Sequence, residues 1–154
     1  NLTEMSAARD ALVAANQPVR IGMTLEDDCS NRLRSGEPLS SAIEILADGP
    51  LESVMINCSQ PEPIPEALSE LANLGCAYGA YANGFKTVAP LRPGGTVKDL
   101  EHRPEMNAEA YTAHALEWLQ LGATIIGGCC EITPAHIQHL HQALLDRSIV
   151  ATSF

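Results

Sequence analysis

Four short apolar runs, at residues 19–25, 51–58, 77–82 and 123–127, each followed by a segment with helical spacing, constrain this chain more than any other feature. Strands that face water on one side alternate apolar and polar residues. Near-continuous apolar runs belong instead to parallel strands covered by helices on both faces. The helices expected are one opening at Thr3 and ending near Asn16-Gln17, one over 39–47 broken by Asp48-Gly49-Pro50, and one from about Glu66 to Leu74 closed by Gly75. Asn107 caps a fourth, with Tyr111 and Trp118 read as core, and Thr133-Pro134 opens a fifth through Ile137, Leu140 and Leu144. The order is α, then βα four times. Such an α/β chain makes either a small open sheet or half of an eight-stranded barrel, because a whole barrel takes about 250 residues and this chain has 154.

The chain is 45% hydrophobic, as expected of a soluble protein with a core. Nine Lys and Arg face 19 Asp and Glu, for a net charge of -10, and no segment gathers the basic residues into a patch. That balance argues against nucleic acid or an anionic membrane as partner. No apolar run approaches the length of a membrane span, and the N-terminus has no signal-peptide pattern. The reading is cytoplasmic. The five cysteines are odd in number and are not spaced like a disulfide framework, and in a reducing compartment clustered cysteines point to metal binding or catalysis.

Two of the apolar runs end in cysteine: Ile56-Asn57-Cys58, and Ile125-Ile126-Gly127-Gly128-Cys129-Cys130. In one parallel sheet these three thiols meet at the C-terminal edge of the strands, where α/β folds build their sites. Cys58 and Cys129 are too far apart for a local CxxC knuckle, so the layout suits a catalytic metal with its fourth position open to substrate. Gly127-Gly128 is expected to turn the backbone so that both following sulfurs reach one ion. Zinc on three thiolates lowers the pKa of an incoming thiol yet leaves its sulfur electron-rich, which favours attack on a cationic methyl donor. Buried small hydrophobes and a vicinal Cys129–Cys130 disulfide stand as alternatives. Cys76 and Cys29 are read as structural or incidental.

With these motifs and the following Thr133-Pro134-Ala135-His136-Ile137, the chain resembles the zinc-dependent homocysteine S-methyltransferases, in order over nearly its whole length. The resemblance implies a TIM-type (β/α)8 barrel of which residues 1–154 form a single partial domain: the fourth helix, then βα units five to eight. It implies Cys58, Cys129 and Cys130 as ligands of Zn2+, and Asn83 and Asn57 as substrate-binding residues. Where the family's loop usually reads Pro-Asn, a small residue and Gly, this chain has Ala82 before Asn83 and Gly84 directly after it. The implied partners are homocysteine, a methyl donor, and either the N-terminal half-barrel or a second copy of the chain. The family's glycine-rich first strand and loop and its acidic residue on the fourth strand have no counterpart, so the chain alone is expected to have little activity.

The remaining signals are weaker. His136 and His139 can share a helix face, and His136 can support the cysteine turn. Glu26, Asp27 and Asp28 follow the first strand as a solvated acidic loop or a catalytic carboxylate. The proline- and glycine-rich stretch 83–104 is expected to be a functional loop over the pocket or against another subunit. A non-catalytic zinc or thiol module, and a redox role for Cys129 and Cys130, compete with the methyltransferase reading.

Overall fold

Four parallel strands pair in chain order in the computed structural model, which describes residues 1–15, 17–91 and 95–147. Helix α1 (Leu2–Ala15) precedes β1 (Val19–Met23), α2 (Leu39–Leu46), β2 (Leu51–Asn57) and α3 (Ile64–Leu71). After them come β3 (Ala77–Tyr81), α4 (Ala108–Gln120), β4 (Ile125–Ile126) and α5 (Pro134–Asp146). The expected helix end at Asn16 and residues 92–94 of the expected loop fall outside the described residues.

The register lines up Met23, Ile56, Ala80 and Ile126 across all four strands. Val54 and Ile56 on β2 are completely buried, as are Leu39, Leu46, Ile64, Leu68 and Leu71 on the two helices that follow β1 and β2. This covered core is what the apolar runs specify. Tyr111 and Trp118 of α4 are also fully buried and meet edge to face with centroids 5.9 Å apart.

Two local differences from expectation have clear causes. The last strand is only two residues long, yet its pairing continues irregularly: Thr124, Gly127 and Cys129 donate to the carbonyls of Tyr78, Ala80 and Ala82. Here β3 approaches closely enough that a Cβ on Gly79 would collide with the Ile125 carbonyl. The third helix begins at Ile64 instead of about Glu66, because Pro65 is accommodated in its first turn, and it closes through a tight 3-10 turn (Ala72–Leu74) with Gly75 left-handed at φ 69°.

The stretch 83–104 is folded back on itself. Lys86 donates to the Glu101 carbonyl, Arg103 to that of Gly84, and Gly84 in turn to Cys130. Short 3-10 turns at Ala89–Leu91 and Val97–Asp99 give it local structure, the latter capped by Thr96 and Asp99. No helix among the described residues is long and apolar enough to cross a membrane.

Candidate metal centre

The C-terminal edge of β3 organises the site. Cys58 donates its amide to the Tyr81 carbonyl at 3.0 Å, and Cys129 donates its amide to the next carbonyl, Ala82, also at 3.0 Å. Successive carbonyls of a strand point to opposite sides, so one strand end holds both flanking chains. The Sγ atoms of Cys58, Cys129 and Cys130 all lie within 4.8 Å of one another, with those of Cys129 and Cys130 3.8 Å apart. All five cysteines are free thiols.

Backbone geometry aims these sulfurs. Cys58 is left-handed at φ 46°, a region that costs a non-glycine residue and is kept only when its surroundings enforce it. Its carbonyl receives two donors, Asn83 Nδ2 at 2.8 Å and Arg34 Nη2 at 2.9 Å. The turn at 127–130 differs from expectation in its means. Neither Gly127 nor Gly128 has positive φ; the left-handed residue is Glu131 at 67°. Gly128 is needed for space, since a Cβ there would overlap the Ile132 side chain, and Gly127 offers its carbonyl to the Tyr111 hydroxyl.

Burial, followed by the neighbouring sulfurs of Cys129 and Cys130, pushes the Cys58 thiol up to about 12. Burial and then Cys129 raise Cys130 as well. Three thiols packed this closely cannot all ionise by themselves, whereas a soft divalent cation accepting three thiolates removes that penalty. The donor set and its spacing fit a soft divalent cation such as zinc, with Cys130 exposed and Cys58 and Cys129 half-buried.

The two asparagines lie on either side of Cys58. Asn83 is fully buried, with Nδ2 on the Cys58 carbonyl, 3.9 Å from its sulfur, and Oδ1 accepting the Phe85 amide at 3.0 Å. Asn57 ends β2 half-buried beside Gly22, where the Tyr81 hydroxyl also approaches; its side chain makes no hydrogen bond among the described residues. Burial, then the charge of Cys129, raises the Tyr81 phenol.

Other sequence candidates are occupied elsewhere. His136 accepts the Thr133 amide at Nδ1 and so donates from Nε2 to the Met106 carbonyl at 2.9 Å, capping its own helix. His139 Nδ1 pairs with the Thr112 hydroxyl, so the two rings share no ligand-binding face. Asp27 accepts from the Thr87 hydroxyl and the Val88 amide, fastening the acidic loop to the stretch after Asn83. Sequence reasoning missed Arg34, which has no motif around it; the cue available is the Arg32-Leu33-Arg34 pair of cations in an acidic chain.

Comparison with known proteins follows this geometry. A family model described as homocysteine S-methyltransferase matches residues 1–144. The chain is 30% identical over 143 residues to homocysteine S-methyltransferase from Escherichia coli, covering 91% of this chain and 44% of the relative. It is 26% identical over 121 residues to selenocysteine Se-methyltransferase from Brassica oleracea var. italica, covering 77% and 34%. Among solved structures, the metallated form of the E. coli homocysteine methyltransferase MmuM superposes with a TM-score of 0.68 at 27% identity, over 93% of this chain and 42% of that one. The oxidized form of MmuM gives the same TM-score at 26% identity. The chain thus spans less than half the length of these relatives, with the parallel βα architecture of one part of their barrel. Matched along nearly all of its own length, it belongs to the homocysteine S-methyltransferase family.

Proposed function

We propose that this chain is the C-terminal half-barrel, units five to eight, of an enzyme that moves a methyl group from a cationic or carrier-bound donor to the sulfur of homocysteine, giving methionine. The observation that carries this reading is the convergence of Cys58, Cys129 and Cys130 within 4.8 Å at the C-terminal ends of the strands. Cys58, Cys129 and Cys130 would hold a zinc ion, which when bound would lower the pKa of a substrate thiol while leaving its sulfur nucleophilic. In the reaction a bond forms between the homocysteine sulfur and the methyl carbon as the donor's own bond to that carbon breaks with its electron pair.

The chain's residues supply position. Asn83 and Arg34 hold the Cys58 carbonyl and keep that residue left-handed. Tyr111 anchors the Gly127 carbonyl, and Glu131 at positive φ completes the turn beyond the cysteines. Asn57, with its amide uncommitted, borders the substrate directly, and Asn83 acts on the same region through Cys58. The outer strands β1 and β4 have no further strand beside them among the described residues, so a second half-barrel, on the family's N-terminal segment or on another copy of the chain, completes the enclosure.

X-ray absorption at the zinc edge tests the proposal. The expected spectrum of the zinc-loaded chain has three sulfur neighbours and one lighter atom, and homocysteine replaces the lighter atom with a fourth sulfur. A closed shell of four protein ligands, unchanged by homocysteine, refutes it.

A further inference from the structure

The three converging cysteines make a cluster of sulfur alone. Their Sγ atoms lie within 4.8 Å of one another, and among the described residues no His, Asp or Glu joins them at that distance. Glu131, next in sequence to Cys130, pairs with His102 at 3.2 Å instead. Asn83 Nδ2, 3.9 Å from the Cys58 sulfur, is a hydrogen-bond donor and offers no lone pair. Sulfur ligands without oxygen or imidazole companions select soft, thiophilic centres over hard ones.

The fold gathers these sulfurs before anything binds. Cys58 and Cys129 hang by their amides from the Tyr81 and Ala82 carbonyls, and Asn83 and Arg34 hold the Cys58 carbonyl. Cys129 and Cys130 stand 3.8 Å apart as free thiols, so small rotations about χ1 draw all three sulfurs onto one central atom. Exposure is graded, with Cys130 open to solvent and Cys58 and Cys129 half-buried. A reagent that bonds to sulfur stepwise meets Cys130 first, and each later bond then forms at high effective concentration. Trivalent arsenic has the matching valence: it forms three bonds to sulfur in a pyramid, keeps a lone pair on its fourth side, and needs no nitrogen or oxygen donor.

We propose that Cys58, Cys129 and Cys130 together form a binding site for trivalent arsenic, taken up as arsenous acid. Three S–H and three As–OH bonds are exchanged for three As–S bonds and three waters; arsenic stays trivalent, and no oxidant or reductant takes part. The adduct is uncharged, which suits a half-buried cluster in a chain of net charge -10. It occupies the sulfurs that the methyl-transfer reading assigns to a metal, yet it needs none of that chemistry, so either reading can fail alone.

The test is arsenic-edge X-ray absorption and intact-mass spectrometry on the metal-free chain, reduced with a phosphine, treated with sodium arsenite and passed through gel filtration. The expected adduct has one arsenic per chain with three sulfur neighbours and no oxygen, gains the mass of arsenic less three hydrogens, and takes up no zinc. Cys58→Ser should leave two sulfurs and one oxygen on arsenic and hold it about a hundredfold more weakly, the loss of one linked attachment. Phenylarsine oxide, which bonds only two thiols, should bind that variant and the unaltered chain with similar strength, and Cys29→Ser and Cys76→Ser should leave arsenite binding unchanged. Failure of the unaltered chain to retain arsenic, an oxygen in its arsenic shell, or equal retention by Cys58→Ser overturns the assignment. The first two results need no variant, so the assignment stays testable if Cys58→Ser fails to fold, a failure that loss of phenylarsine oxide binding would reveal. A zinc spectrum that ignores homocysteine bears on the methyl-transfer reading alone.

Discussion

Asn83 Nδ2 sits 2.8 Å from the carbonyl oxygen of Cys58, and the same side chain accepts the Phe85 amide through Oδ1. A completely buried amide with both ends engaged ties the loop after β3 to a residue held at φ 46°. Replacing Asn83 by Ala strands a buried carbonyl contact and a buried N–H. The expected loss is about 1–3 kcal/mol of stability, read by urea denaturation. Metal affinity should fall with it, read by competition against a chromogenic chelator.

Metal uptake should follow the sulfur count. The unaltered chain is expected to bind one zinc, and Cys58→Ser or Cys129→Ser to bind none after dialysis, checked by elemental analysis. Because an ion that binds only the folded chain stabilises it, a chelator should lower the melting temperature of the unaltered chain and leave those variants unmoved.

Gly79 faces the Ile125 carbonyl at a distance that admits no side chain. Gly79→Ala should push β4 away from β3 at a cost of roughly 3 kcal/mol, seen by thermal denaturation. It should also reduce zinc affinity, since Cys129 hangs from the same pairing.

Arg103 grips Glu62 with both ends of its fork, 3.0 Å on the Nη1 side, and reaches Glu105 through Nε. Burial would raise the Glu62 carboxyl, but the hydrogen bonds and charge of Arg103 outweigh it and hold it below its ordinary 4.5. A depressed carboxyl contributes stability that is full above the unfolded value and is lost as the pH falls through the folded one. The chain should therefore lose stability as the pH drops below about 4.5, and Arg103→Met should flatten that part of the profile. The effect is modest and salt-sensitive because Glu62 remains partly open to solvent.

Much of this architecture is legible from the residue pattern, because parallel strands must be apolar throughout and cysteines at their ends must then share an edge. The βα order, the capped starts at Asn107 and Thr133, and the buried Tyr111 and Trp118 all follow from local chemistry. The partners of Asn83 and Arg34 do not. Each donates to the Cys58 backbone carbonyl, a group every residue carries, so no residue type announces the contact. The Gly127-Gly128 pair suggests backbone freedom, but Gly128 serves clearance against Ile132, a contact set by the residue just before the cap of the next helix. His136 likewise reads as a candidate for the cysteine turn until the Met106 carbonyl claims its ring.

Suspending Cys58 and Cys129 from the consecutive carbonyls of Tyr81 and Ala82, at the end of β3, has a consequence for assembly. Side chains on a strand alternate between faces, so sliding β2 by one position would turn the Cys58 sulfur away from its companions. An ion that demands all three sulfurs then gains nothing from the misaligned sheet. Capture of such an ion would double as a proofreader of strand pairing, rewarding the correct alignment and no neighbouring one.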